Sequence, residues 1–260
     1  MKVALLGIIL ATGFSVAIAG QRGQGRQGGP AASAKEAAPV DLTGYWVTVV
    51  TEDWRYRMVT PARGDHPSVP LNAAGNALAN NWDPAKDEAS GETCKAYGAA
   101  GVMRAPGRLR ITWQDDATLK IETEAGTQTR LLRFGPSSQV DGPTVQGTSA
   151  AQWEFAGGAR GGRGAAGRGP STGSGQGNLK VVTTRMRPGY LQKNGVPYGG
   201  SAVLTEYFSR TAEPNGDSWL ILTSIVEDPQ YLTGPFVRST HYKRLPENST
   251  AWEPEACSSR

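Results

Sequence analysis

The stretch RLRITWQ, residues 108–114, alternates apolar and polar side chains with a period of two, placing Leu109, Ile111 and Trp113 on one face. Asp115-Asp116 and the residues after it read as a turn, and LKIETEA follows with Leu119 and Ile121 again in phase. Similar short runs recur: YWVTVVTEDWRYRMVT (45–60), TQTRLLRF, AAQWEF, NLKVVTTRM, AVLTEYFSRT, WLILTSIVE and FVRSTHYKRL. Short alternating strands separated by turn signals predict an all-β chain, an antiparallel β-barrel or bent sandwich. One helix is predicted where Asn72 caps AAGNALANNW, with Leu78 and Trp82 spaced i, i+4.

The ends bound the domain. Met1-Lys2, the apolar run from Val3 to Ile18 and the small residues Ala17 and Ala19 read as a secretory signal peptide over residues 1–19. Residues 20–39 are low in apolar content and are predicted to be a disordered linker. A single β domain is then expected over 40–260, periplasmic or secreted, with no membrane insertion of the mature chain. The two cysteines, Cys94 and Cys257, are expected to form a disulfide in that compartment.

Residues 157–177 are almost all Gly, Ala, Ser and Arg. Alternating runs flank them on both sides, so they are predicted to be a disordered insert in a hairpin; loop-closure entropy rises only slowly with length. The charge distribution excludes a nucleic-acid reading. Of 27 basic residues, seven (Lys2, Arg22, Arg26, Lys35, Arg160, Arg163, Arg168) lie in the leader, linker and insert, as does one of 23 acidic residues, Glu36. That leaves 20 basic against 22 acidic residues in the folded part, which is no basic surface for nucleic acid.

The order CKAYG, QWEF, LTEYF, VEDPQY and the late Cys257 resembles a large family of secreted bacterial β-proteins frequent in soil bacteria. Members carry a Trp-Glu-Gly-Asp hairpin; here Trp153-Glu154 stands and the insert replaces the tight turn. The resemblance implies a secreted β-protein and brings no activity or catalytic residues with it. Gly44-x-Trp46 is similar to the entry motif of lipocalin-like barrels, which implies a late arginine, Arg238 or Arg244, packed on that tryptophan.

Candidate site residues concentrate in TEDWRYRM, residues 51–58. Read as a strand, Asp53, Arg55 and Arg57 share one face, and Glu52, Trp54, Tyr56 and Met58 the other. Facing a cavity, the charged side would fork an anionic ligand; facing out, it is a solvated strand. Arg238 and His241 join the candidates from the last strand, with Glu206 or Glu227 as a carboxylate partner for His241 as a general base. Glu227 is placed inward, in phase with Trp219, Ile221, Thr223 and Ile225. His66 and His241 are too few for a zinc site, and no phosphate or dinucleotide loop is present, so neither metal nor cofactor is expected. The reading is a binding protein for a small, partly apolar molecule. An isomerase or hydrolase on the same scaffold and a structural envelope protein stand beside it as alternatives.

Overall fold

A computed structural model describes residues 32–136, 142–155, 177–248 and 251–259. The expected signal peptide, the first part of the expected linker and all of the expected insert but Gly177 lie outside these residues. The described compact unit begins at Ala32, eight residues before the boundary that composition suggests.

Nine strands among the described residues close into a barrel. They are β1 (Gly44–Val49), β2 (Arg108–Asp115), β3 (Thr118–Thr123), β4 (Gln128–Phe134), β5 (Thr148–Phe155), β6 (Gly177–Thr184), β9 (Val203–Ala212), β10 (Ser218–Glu227) and β11 (Phe236–Arg244). Their order around the wall is β1-β11-β10-β9-β6-β5-β4-β3-β2, and β2 returns to β1. A separate hairpin joins β7 (Gly189–Gln192) and β8 (Val196–Tyr198). The expected all-antiparallel wall has one exception. β4 and β5 run parallel, with Leu132 opposite Ser149. Phe155 pairs with Gly177 in the β5–β6 hairpin, so the register brings the two flanks of the insert together.

Alternation fills the inside. Trp46, Ile111, Ile121, Leu132, Leu179, Val181, Phe208, Leu220 and Tyr242 are all buried there, each worth about 1.5–3 kcal/mol of apolar burial. A barrel of this strand number is just wide enough for side chains, and they occupy its centre. On β10 the inward residues are Leu220, Leu222 and Val226, while Trp219, Ile221, Thr223 and Ile225 are only half-buried and Glu227 is exposed. Glu227 is thus not inward as expected: both faces of this strand are apolar, and Glu227 shares the outer one with Trp219, Ile221 and Ile225.

The barrel has two differently built ends. At the base, where β2, β4 and β5 finish, Trp113, Phe134 and Trp153 form an aromatic cluster with centroids 5.2–6.4 Å apart. Trp153 Nε1 donates to Ala34 O at 2.8 Å, so residues 33–38 lie across this end. Here too Arg244 stacks over Trp46 at 5.9 Å, and Gly44, at φ 120°, leaves room for it: a Cβ there would meet Arg244 Nε at 3.2 Å. Arg244, not Arg238, thus packs on the tryptophan of the G-x-W motif.

The mouth, where β1 finishes and β2 begins, is covered by the segment between those strands. It holds α1 (Trp54–Arg57), α2 (Ala73–Asn80), α3 (Pro84–Ala89) and α4 (Ala99–Val102). Asn72 caps α2 as expected, accepting from Gly75 N at 2.9 Å. A second apolar cluster, including Val69, Ala99, Met186, Tyr198, Leu204 and Phe236, joins this cover to the β7–β8 hairpin and the barrel. Cys94 and Cys257 are bridged across 163 residues of sequence, which tethers the last segment to the cover. Chain-entropy arithmetic puts the limit of that restraint at about 5 kcal/mol. Such a bond is consistent with an oxidising compartment.

Candidate functional site

The expected strand over residues 51–58 does not form. β1 pairs with β2 only through Val47 and with β11 only through Val49. Asp53 then takes a left-handed conformation, φ 49°, and the next four residues make α1. Asp is among the few non-glycine residues that tolerate this region, and such backbone strain collects at functional sites. Tertiary ion pairs override the β propensity of this segment. The proposed single charged face is corrected with it. Arg55 is exposed and pairs with Asp65 at 2.6 Å, and Trp54 is 67% exposed. Arg57 turns inward and is 4% exposed.

What assembles at the mouth instead is a cluster from three parts of the chain. Arg57 Nη1 pairs with Glu52 Oε1, and Arg57 Nε donates to Arg104 O at 2.9 Å. Asp53 Oδ2 is shared: Arg104 Nη2 reaches it at 3.1 Å and Arg238 Nε at 2.8 Å. Arg104 follows α4, all of whose residues are buried, and Tyr242 donates to the neighbouring Met103 O from inside the barrel. Arg104 is 6% exposed. Burial pushes its guanidinium below the ordinary value, Asp53 pulls it back, and the charges of Arg238 and Arg57 add to the depression. Phe236 lies between two of these cations, 5.8 Å from Arg104 and 4.2 Å from Arg238.

Each of the three guanidiniums keeps a buried nitrogen without a hydrogen-bond partner: Arg57 Nη2, Arg104 Nη1 and Arg238 Nε, the last in ion contact with Asp53 but not aligned to donate. Three cations face two carboxylates, Glu52 and Asp53, leaving one positive charge uncompensated.

A groove of about 420 Å³ runs along the outer side of this cluster, lined by residues 67–70 and 235–238. Prolines, valines and Phe236 make its walls and Arg238 is its one ionic group. Arg238 Nη2 holds Ser68 O at 2.7 Å and Ser68 Oγ at 2.9 Å, fixing the Pro-rich stretch over the barrel rim. The volume falls in the range of small-molecule sites. A smaller cleft of about 70 Å³ lies beside the disulfide, next to Lys95, Glu92 and Arg187.

His241 is on the outer face of β11. Its Nδ1 lies 3.4 Å from Glu52 Oε2 and 3.1 Å from Thr51 Oγ1, and its Nε2 lies 3.3 Å from Ser239 Oγ. Its carboxylate partner is therefore Glu52, and neither Glu206 nor Glu227. Glu206 is inside the barrel, 0% exposed, where both its oxygens bind Arg130, at 2.9 and 2.5 Å. Thr183 and Ser149 extend that network. Burial pulls the Arg130 guanidinium down, and Glu206 more than reverses it, so it stands above its ordinary value.

Of the residues singled out in the sequence, Asp53, Arg57, Arg238 and His241 thus come together at the mouth. Trp54 and Arg55 are on its exposed side, and Glu206 and Glu227 are elsewhere. Arg104 and Glu52 complete the cluster. A lone arginine closing the small-residue run AAGVM was the one sequence sign of the first. No family model, no curated protein and no solved structure matches this chain.

Proposed function

We propose that this chain is a periplasmic or secreted β-barrel protein that binds a small, partly apolar molecule at the barrel mouth. The observation that carries the reading is the groove at residues 67–70 and 235–238, with apolar walls and an arginine at its edge. The disulfide, and the likeness of the motif order to secreted bacterial β-proteins, support the compartment. Calorimetric titration with 1-octanol tests it. Saturable binding is expected for the parent and loss of binding for Val237→Trp, which fills the groove from an exposed position. No binding by the parent, or binding unchanged by the filling variant, overturns the reading.

One observation favours a second reading, a hydrolase. Glu52 and Thr51 on Nδ1 of His241 leave Nε2 to accept from Ser239, which is the order of groups in an acyl-transfer relay. In that chemistry Ser239 Oγ attacks an ester carbonyl, its proton passes to Nε2 and on to the leaving alcohol, and water releases the acid. Incubation with a fluorophosphonate ester checks it by intact mass: an adduct on the parent, absent from Ser239→Ala, is the expected result, and an unlabelled parent removes this reading.

A further inference from the structure

The arginine cluster beside the groove has a charge and a hydrogen-bonding capacity that the protein alone does not use. Arg57 and Arg104 are more than nine-tenths buried, yet each keeps a nitrogen without a partner. Buried polar groups in folded proteins are nearly always paired, and a buried charge is costlier still to leave alone. The cluster carries three guanidiniums against Glu52 and Asp53. The other charged pair nearby, Arg55 with Asp65, is balanced within itself. The residual charge is therefore one positive unit. It is joined to the groove through Arg238, which lines the groove and touches Asp53, and through Phe236, which Arg104 and Arg238 both face. The strained backbone of Asp53 holds the carboxylate that both arginines share.

We propose that the Arg57–Arg104–Arg238 cluster is the receptor for a monoanionic head group, a carboxylate, on the molecule whose apolar body lies in the groove. This rests on the groove reading above and adds the ligand's charge and class: an amphipathic carboxylic acid of small size. The donor set decides for an oxyanion, since the three guanidiniums supply only charged N–H donors and no acceptor, each with one nitrogen unpartnered. The charge decides for a monoanion, because one negative charge brings the cluster to neutrality and a second overshoots it. The groove decides for an apolar body, because three prolines, two valines and a phenylalanine make up most of its wall, and Ser68, its one hydroxyl, is already engaged by Arg238.

Titration of the full mature protein with sodium octanoate, 1-octanol and inorganic phosphate at low ionic strength distinguishes the parts. Octanoate is expected to bind at least about tenfold more tightly than 1-octanol, the worth of one or two charge-assisted hydrogen bonds, and to weaken with added salt. Arg238→Met, at the rim, is expected to bring octanoate down to the level of 1-octanol. Arg104→Lys keeps the charge without the fork and is expected to fall between, with circular dichroism confirming that both variants are folded. Equal affinity for octanoate and 1-octanol in the parent overturns the carboxylate receptor and leaves the groove reading standing. Phosphate displacing octanoate at lower concentration than octanoate binds overturns the monoanion assignment. Failure of both octanoate and 1-octanol to bind removes the groove reading and this inference together.

Discussion

Arg130 with Glu206, and Arg104 with Asp53, are the same two kinds of side chain in two surroundings. The first pair is shut inside the barrel, side chains 0% and 1% exposed, matched one to one and bonded through both oxygens. The second shares its carboxylate with Arg238, stands beside Arg57, and is partly open, Asp53 being 26% exposed. Arg130 also has an unpartnered nitrogen, Nε, so an orphan N–H alone does not separate them. Stoichiometry and access do. A closed, balanced pair fixes how β4 and β9 pack across the interior. An open, unbalanced cluster has charge left over for something from outside.

The largest way to break this contrast is Glu206→Ala. It leaves Arg130 charged, buried and alone, and about 3–5 kcal/mol of stability should go, roughly 10 °C in melting temperature for a chain of this size. Thermal unfolding measures it, and salts of small carboxylic acids should recover none of it. Asp53→Ala is next, at about 1–3 kcal/mol, because Arg104 loses its carboxylate but the carboxylate removed is itself partly exposed. Here millimolar octanoate should recover much of the loss; a loss equal to that of Glu206→Ala, and equally unrecoverable, would make the two regions alike. The double change Arg130→Met with Glu206→Leu should fall within about 1 kcal/mol of the parent or above it, since a buried pair gains little over apolar packing.

The smallest effect concerns pH. Tyr198 and Tyr242, both neighbours of the buried pair, are raised by burial above the ordinary 10.0, which favours their neutral form in the fold. A group raised on folding contributes fully below its unfolded value and loses that contribution as pH rises through its folded one. Stability should therefore hold up to about pH 10 and decline only above it. Denaturant midpoints across alkaline pH check this, and a decline that begins at neutral pH would point to a different titrating group.

The wall of the barrel was legible because alternation is a local property: Leu109, Ile111 and Leu119, Ile121 declared their face unaided. β10 shows the limit, since its outer face bears Trp219, Ile221 and Ile225, as apolar as the inner Leu220 and Leu222. Only its neighbours decide which face is in. The bridge was legible from the even number of cysteines. The cluster at the mouth was half legible. Asp53, Arg57, Arg238 and His241 stood out as charges among apolar strands, but the turn at Asp53 depends on Arg104, some fifty residues away. No window of sequence contains that pairing. It also explains why Arg55 was grouped with Arg57: the two share a face on a strand and not on a helix.

The seam of the barrel, finally, sets a schedule. Trp46 on β1 lies opposite Arg244 on β11, and no wall is complete until they meet. β1 must wait, with one edge exposed, while nearly the whole intervening chain is made. Folds dominated by such distant pairings form slowly, and an unpaired edge strand meanwhile recruits other chains. For this protein the hazard in the cell is an early one, and it falls before the cross-link can act, since Cys257 arrives later still.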